Sequence, residues 1–259
     1  MLKFELPKEV TEYNFDTILT NSEIKQGDSF PEPKCLLYLK KTNKSGVVKM
    51  VPAMTEKNIS VIVAKAKKGK SFFMKLLNKL LVLNEVVDTV IFDTEQSGYH
   101  AACALYQINQ ITQFKNKVRL FALRKYSQGI RLEFIEQYIG IYKPSIIFID
   151  NIRDCITSIN SEAEAISVIN ILNQHLEFSN THVVTTIHEN PGKETEKARG
   201  WIGTELINKA ETVYRLEKED DIFTSKPQFT RNEKFDEIRF EINENGTPIL
   251  IDRVIDESF

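Results

Sequence analysis

The residues with the clearest chemical potential form a lysine-rich segment in the first third of the chain. They read Ala64-Lys65-Ala66-Lys67-Lys68-Gly69-Lys70-Ser71 and match the pattern G-x-x-x-x-G-K-[ST], except that alanine replaces the first glycine. In such a loop the backbone N–H groups cradle phosphates, the lysine reaches the β- and γ-phosphates, and the final hydroxyl holds Mg²⁺. The segment therefore predicts a polyphosphate site made by Ala64, Lys65, Ala66, Lys67, Lys68, Gly69, Lys70, Ser71 and Phe72.

The sequence on either side of this segment supplies the context that the motif requires. Residues 59–63 are an apolar, β-branched run typical of a buried strand, and residues 72–81 carry apolar pairs at helical spacing. A strand, a loop and a helix in this order direct backbone N–H groups and a helix N-terminus at one place. The alternative is a lysine-rich surface turn, and Ala64 keeps it open, because glycine at that position would ease a tight turn.

Alternating strand and helix patterns predict the elements that must position this loop. Candidate strands lie at 59–63, 88–93, 118–122, 145–149, 182–187 and 211–216, and candidate helices follow the loop and lie near 99–113, 128–141 and 161–177. Such alternation predicts an α/β fold with a mainly parallel central sheet and helices on both faces. Residues 238–251 alternate around Asn245-Gly246, which predicts a C-terminal antiparallel hairpin that extends the sheet.

Polar side chains close three of the predicted strands, at the edge where ligands bind in parallel sheets. Asp150 follows the apolar run 146–149 and is suited to position Mg²⁺ and its waters. Glu95 closes the second strand and could orient an attacking water, although the same residues could cap the next helix. His188 could contact a γ-phosphate, or it could bond only to local backbone.

The segment from residue 190 to residue 203 is the strongest candidate for a mobile loop. It contains three glycines and the only tryptophan of the chain. Basic residues beside an aromatic ring suit single-stranded nucleic acid, through phosphate contacts and base stacking. The predicted DNA-binding residues are Lys193, Lys197, Arg199 and Trp201. The alternative is a loop docked on a neighbouring subunit or on the domain itself.

Composition narrows the class of protein. The chain has 259 residues and a formal net charge of −2, so any DNA contact must be local or built by an oligomer. Its three cysteines, Cys35, Cys103 and Cys155, are unclustered, which fits free thiols in a reducing compartment. No run resembles a signal peptide or a membrane span, so we expect a cytoplasmic protein without a membrane partner. We expect residues 1–55 to form an N-terminal arm or small β extension and residues 56–259 the main domain.

Together these motifs resemble the RecA-like P-loop ATPases, and within them the RepA/DnaB-type helicase ATPases, especially the small RepA-like ATPases of bacterial mobile elements. The resemblance covers about residues 58–243 and rests on five segments, at 64–71, 92–95, 146–150, 186–188 and 197–200. It implies ATP and Mg²⁺ as cofactors, DNA as a partner in replication or mobilisation of a mobile element, and a homo-oligomer, with a hexamer as one arrangement.

The resemblance also implies a role for each catalytic residue. Lys70 would neutralise phosphate charge, Ser71 and Asp150 would hold Mg²⁺, and Glu95 would orient the water. His188 would act as the sensor, and Arg231 would be supplied to the site of the next subunit. Phe229 stands where the family has a lysine, and together with Ala64 it favours slow turnover. The alternative function is a slow nucleotide-binding switch or assembly factor without helicase activity.

Overall fold

The computed structural model describes residues 15–86, 88–113, 117–190, 198–252 and 254–255, and the chain divides into two compact units, residues 1–32 and 33–259. In the described part of the first unit, α1 (Phe15–Ser22) is followed by a turn in which the Asp28 carboxylate accepts the backbone N–H of Lys25 at 2.8 Å. Among the described residues, no helix combines the length and apolar character needed to cross a membrane.

A single sheet forms the centre of the larger unit. Its strands are β3 (Ile59–Ala64), β4 (Asp88–Asp93), β5 (Lys117–Ala122), β6 (Ile146–Asp150), β7 (His182–His188), β8 (Thr212–Glu219), β9 (Ile222–Thr230), β10 (Ile238–Ile242) and β11 (Pro248–Leu250). Across the sheet they run in the order β11-β10-β9-β8-β3-β7-β6-β4-β5. The pairs from β8 to β5 are parallel, and those from β8 to β11 are antiparallel. Because β3, β6 and β7 are central, their residues are nearly all buried, which explains their continuous apolar runs.

Helices cover both faces of this sheet. They are α2 (Lys70–Leu83), α3 (Gly98–Ile111), α4 (Gln128–Tyr142), α5 (Glu162–Phe178) and α6 (Gly200–Lys209), with a 3-10 turn at Ile152–Cys155. The apolar side of α2 packs in one core cluster, whereas the apolar sides of α4, α5 and α6 pack in a second one. Side chains alternate along each strand, so a strand such as β3 contributes Ile62 to the first cluster and Val61 and Val63 to the second.

A separate two-stranded hairpin, β1 (Cys35–Thr42) and β2 (Val48–Thr55), packs with α2 in the first core cluster. The compact unit that contains it begins at Pro33, and the predicted domain boundary near residue 55 stays a prediction. The antiparallel part of the sheet contains more strands than the predicted hairpin. β9 pairs with β8 at eight positions, and β10 and β11 follow it. Its mixed residues, such as Lys226 and Pro227, do not show the two-residue alternation that identifies β10.

Candidate functional site

The lysine-rich segment forms a loop between the end of β3 and the start of α2. Ala64 is the last, fully buried residue of β3. Its φ is not positive, so the backbone does not require glycine there. Gly69 does need to be glycine: its φ is +87°, and an added Cβ would lie 2.5 Å from Cδ1 of Phe223. The helix begins at Lys70, so the N–H groups of its first turn face the loop.

A line of polar contacts connects three of the predicted catalytic residues. Lys70 Nζ lies 3.0 Å from Nδ1 of His188, and Nε2 of His188 lies 3.7 Å from Oε1 of Glu95. An ammonium group can only donate, so Nδ1 accepts, and we assign the imidazole proton to Nε2, on the side of Glu95. The parallel pairing of β3 with β7 produces this contact, because it sets Ala64 directly beside His188.

The two predicted magnesium ligands also lie together. The Ser71 hydroxyl donates to Oδ2 of Asp150 at 3.3 Å, and the Thr186 hydroxyl donates to Oδ1 at 2.5 Å. Among the described residues, no group of three or more His, Cys, Asp or Glu side chains could hold a metal ion by itself. Mg²⁺ commonly binds through one or two protein ligands together with phosphates and waters, so a hydroxyl and a carboxylate at this distance fit the ion.

Three further residues support the site. Asn151 donates a side-chain hydrogen bond to Oε1 of Glu95. The Thr94 hydroxyl donates to the backbone carbonyls of Asp150 and Asn151, both at 3.0 Å, which holds the ends of β4 and β6 together. Asp93 accepts the backbone N–H groups of Glu95 and Gln96 at 3.0 and 2.8 Å and so shapes the turn that carries Glu95. Asn151 belongs to none of the motifs that the sequence displays, although its place next to Asp150 at a strand end was a usable signal.

Burial and charge shift the pKa values of these groups in opposite directions. Burial raises the pKa of Asp150 to about 6, and the nearby Glu95 and Asp93 carboxylates add to this, whereas the Thr186 hydrogen bond opposes it. Burial also lowers the pKa of Lys70, against the attraction of Asp150, Glu95 and Glu189. The close contact with His188 lowers the pKa of Glu95 and the hydrogen bond from Asn151 adds to this, whereas partial burial opposes it. Glu95 therefore stays ionised near neutral pH.

The tip of the β8–β9 hairpin lies against the lysine-rich loop. The Phe223 ring contacts the Gly69 position and lies 6.3 Å from the Phe72 ring, between centroids. Lys68 Nζ donates to the Lys218 carbonyl at 3.0 Å. This hairpin therefore restrains one side of the loop, a contact between segments about 150 residues apart in the sequence.

The described part of the predicted DNA-binding loop is tied to the site by its backbone. The Arg199 N–H donates to the His188 carbonyl at 2.8 Å, and the Trp201 N–H donates to the Ile159 carbonyl at 3.0 Å. Arg199 and Trp201 are exposed at the start of α6. Lys193 and Lys197 lie outside the described residues.

Arg231 lies at the opposite end of the strands from the lysine-rich loop of its own chain. It follows β9, whose last residue, Thr230, pairs with Thr212 at the start of β8, so it occupies the amino edge of the parallel strands. Its guanidinium donates to the Lys209 carbonyl at 2.7 Å and to Oδ1 of Asn58 at 3.4 Å. The structure thus brings Lys70, Ser71, Glu95, Asp150 and His188 together and places Arg231 apart from them; its role in a neighbouring site stays a prediction.

Two solved structures show the fold independently. The flagellar accessory protein FlaH from Methanocaldococcus jannaschii matches with a TM-score of 0.56 at 13% identity, over 78% of this chain and 92% of that one. The RadB recombinase matches with a TM-score of 0.54 at 14% identity, over 75% of this chain and 91% of that one. No protein-family model matches the chain, and no curated protein does. The predicted fold class is confirmed: the chain has a RecA-like P-loop NTPase fold, with a mainly parallel sheet and an antiparallel C-terminal extension.

Proposed function

We propose that this protein is an ATPase that binds MgATP at the loop 64–71 and uses the energy of hydrolysis on DNA, in replication or mobilisation of a mobile element. The observation that supports it most is the contact line from Lys70 through His188 to Glu95 and Asn151, beside the Ser71–Asp150 pair. A phosphate-binding loop, a hydroxyl–carboxylate pair and an ionised carboxylate on one edge are the parts that attack of water on a γ-phosphate requires.

Each residue then has a defined task. Lys70 and the N–H groups at the start of α2 would hold phosphate oxygens, and Ser71 and Asp150 would hold the Mg²⁺, which would draw charge from the phosphates. Oε1 of Glu95 is engaged by Asn151 and faces His188, so we assign Oε2 to the attacking water, whose proton it accepts. Asn151 and His188 position the Glu95 carboxylate.

His188 offers a route from the nucleotide to the DNA-facing loop. Its side chain contacts Lys70, and its backbone carbonyl accepts the N–H of Arg199. A shift of Lys70 onto phosphate would change the contacts of His188 and, through one hydrogen bond, the start of α6. The DNA assignment itself rests on Arg199 and Trp201 and on the resemblance to helicase ATPases, and the shared fold of RadB, a recombinase, is in keeping with it.

ATP hydrolysis measured with and without single-stranded DNA tests this proposal. We expect turnover that DNA stimulates, and we expect Glu95→Gln to reduce it by about 10²- to 10⁴-fold while ATP still binds, because the amide cannot accept the proton. Glu85→Gln, at an exposed position, is the matched control and should behave as wild type. Absence of ATP binding by the wild type would contradict the proposal, and unchanged turnover in Glu95→Gln would remove Glu95 from the mechanism.

Arg231 is proposed to complete the site of the next subunit in a homo-oligomer. Its exposed position at the amino edge, away from its own loop, leaves a neighbouring chain as the place where it could act. Arg231→Ala should lower hydrolysis in the assembled protein and spare ATP binding. Mixing Arg231→Ala with Lys70→Ala subunits should restore activity, since some interfaces then pair an intact loop with an intact arginine. No recovery would argue against a residue supplied in trans.

The second candidate is a slow nucleotide switch or assembly factor. The contacts of Phe223 and Lys218 with the loop favour it, because they restrain the segment that must admit a nucleotide. FlaH, which shares the fold, is a flagellar accessory protein. Nucleotide binding with turnover that DNA does not change would favour this candidate over the first.

A further inference from the structure

Three loops at the carboxyl edge of the sheet are joined by hydrogen bonds, beginning with Arg131. The Arg131 side chain donates to the carbonyls of Leu123 (3.2 Å) and Arg124 (2.7 Å), in the loop between β5 and α4. It also donates to the carbonyl of Asp154 at 2.9 Å, in the 3-10 turn after β6. One guanidinium therefore holds the β5–α4 loop beside the segment that follows Asp150.

A second connection joins that segment to the start of α6. The Ile159 carbonyl accepts the N–H of Trp201 at 3.0 Å. Gly200 has φ +72°, and a Cβ on it would lie 2.6 Å from the same carbonyl oxygen, so the two backbones approach more closely than any other residue would allow. The three loops, 123–127, 151–161 and 198–201, thus form one continuous row, and the last of them is bonded to His188.

Apart from the uncharged Ser127, Thr157, Ser158 and Asn160, the exposed side chains on this row are basic or aromatic. Tyr126 is 41% exposed at one end and Trp201 is 42% exposed at the other. The row is completed by four basic residues, Arg124, Lys125, Arg153 and Arg199. We call these six residues the basic–aromatic strip.

The carboxylates near the strip are already engaged. Asp154 lies 3.6 Å from Arg153, and its Oδ2 lies 3.2 Å from the Thr94 hydroxyl oxygen. Glu164 accepts the backbone N–H groups of Thr157 and Ser158 at 3.1 and 2.9 Å. The four basic residues of the strip outnumber these two carboxylates, so its formal net charge is positive, although the whole chain is slightly acidic.

We propose that the basic–aromatic strip binds single-stranded nucleic acid along its length, and that Arg124, Lys125 and Tyr126 form a second anchoring point distinct from Arg199 and Trp201. The inference rests on the proposed action on DNA and deepens it. Lys125 Nζ lies 5.1 Å from the centre of the Tyr126 ring, so a base can stack on the ring while the cation supports its other face. The two guanidinium groups of Arg124 and Arg153 supply phosphate contacts between the aromatic ends.

Binding of a fluorescein-labelled oligo-dT strand, followed by fluorescence anisotropy over a salt series, tests the second anchoring point. Arg124→Ala/Lys125→Ala should weaken binding roughly tenfold at ~0.1 M salt and reduce the salt-dependence slope by about 1.4, since each phosphate contact with a single strand contributes about −0.7. Tyr126→Ala should weaken binding roughly fivefold or more, whereas Tyr126→Phe, which keeps the ring, should bind as wild type. Lys34→Ala/Lys44→Ala removes the same charge from exposed positions elsewhere and should have no effect.

The outcomes separate this inference from the proposed function. If Arg199→Ala/Trp201→Ala weakens binding but the Arg124/Lys125 and Tyr126 variants bind as wild type, the second anchoring point is wrong and the DNA function stands. If the wild type binds no strand, both fall. Equal loss in the Lys34/Lys44 control, or equal affinity of the wild type for duplex and single-stranded DNA, would show non-specific charge attraction and overturn the strip.

Discussion

The central sheet has an amino edge, where its parallel strands begin, and a carboxyl edge, where they end. Both edges bury ionisable side chains, but the groups around these side chains differ. At the amino edge, the Glu211 carboxylate accepts three hydrogen bonds, from the N–H and hydroxyl of Thr55 (2.9 and 2.7 Å) and from the Asn232 amide (3.0 Å). Both ring nitrogens of His182 are also engaged, by the Thr55 carbonyl at 2.7 Å and the Ser60 hydroxyl at 2.9 Å. Each of these two groups is satisfied within the chain.

At the carboxyl edge the buried carboxylates also repel one another. Burial raises the pKa of Asp150, Glu95 and Asp93 add to this shift, and burial lowers the pKa of Lys70. Burial raises the pKa of Glu211 at the amino edge too, so loss of solvation is common to both edges and like-charge repulsion distinguishes the carboxyl edge. These costs are offset when a cation meets Asp150 and a phosphate meets Lys70. Burial alone therefore does not identify a ligand site. At a functional edge, buried charges are left for a ligand of opposite charge to neutralise. At a structural edge, hydrogen-bonding groups of the chain itself satisfy them.

Lys70→Ala should produce the largest effect that separates the two edges. MgATP affinity should fall by about 100-fold or more, because loss of a charge-assisted phosphate contact costs about 2–5 kcal/mol. The free energy of unfolding without nucleotide should not fall, since the variant removes a desolvated ammonium group. Calorimetric titration and urea unfolding measure the two quantities, with Lys44→Ala as the exposed control. A destabilised protein with intact affinity would make Lys70 structural.

Glu211→Ala should show the opposite behaviour at the amino edge. The half-buried Thr55 N–H and Asn232 amide lose their acceptor, and we expect the free energy of unfolding to fall by about 1–3 kcal/mol. Glu211→Gln keeps one acceptor oxygen and should cost less. MgATP affinity of the folded variant should match wild type. Weaker nucleotide binding without loss of stability would break the proposed distinction between the edges.

The pH dependence of Mg²⁺ binding should give the smallest and most local effect. With the pKa of Asp150 raised to about 6, the carboxyl is protonated below that pH, so Mg²⁺-dependent nucleotide affinity should fall about tenfold per pH unit below pH 6 and level off above it. Asp150→Asn corrects for the titration of the nucleotide itself, because it lacks only this carboxyl. The same pH dependence in wild type and Asp150→Asn would assign the titration to another group.

One buried group from each edge should affect the pH dependence of folding stability, and the two effects should have opposite signs. A raised pKa means that the folded state holds the Asp150 proton more tightly than the unfolded state, so this group adds stability as pH falls from about 6 toward 3.8. Burial lowers the pKa of His182 from 6.5 to about 4, so its contribution is present above pH 6.5 and is lost as pH falls to about 4. Asp150→Asn should therefore steepen the acid loss of stability, as urea unfolding at several pH values would show.

Much of the fold follows from local sequence. The strands β3, β4, β6 and β7 are short β-branched runs between helical patterns, and only a mainly parallel sheet accommodates that alternation. The glycine–lysine–serine loop and the polar residues at strand ends could be predicted for the same reason, because each is recognised from residues within a few positions in the sequence. β9 was missed, because its residues do not alternate and its pairing with β8 decides its conformation.

The sequence by itself therefore determined which residues are able to do chemistry, and the tertiary structure decided which of them meet. The order of strands sets Ala64 beside His188 and Asp93 beside Asp150, and so assembles Lys70, His188, Glu95 and Asp150 from segments up to 118 residues apart. The strand order also places Arg231 at the amino edge, opposite the candidate site. Local patterns carry no record of strand order, because that order minimises the free energy of the whole packed sheet.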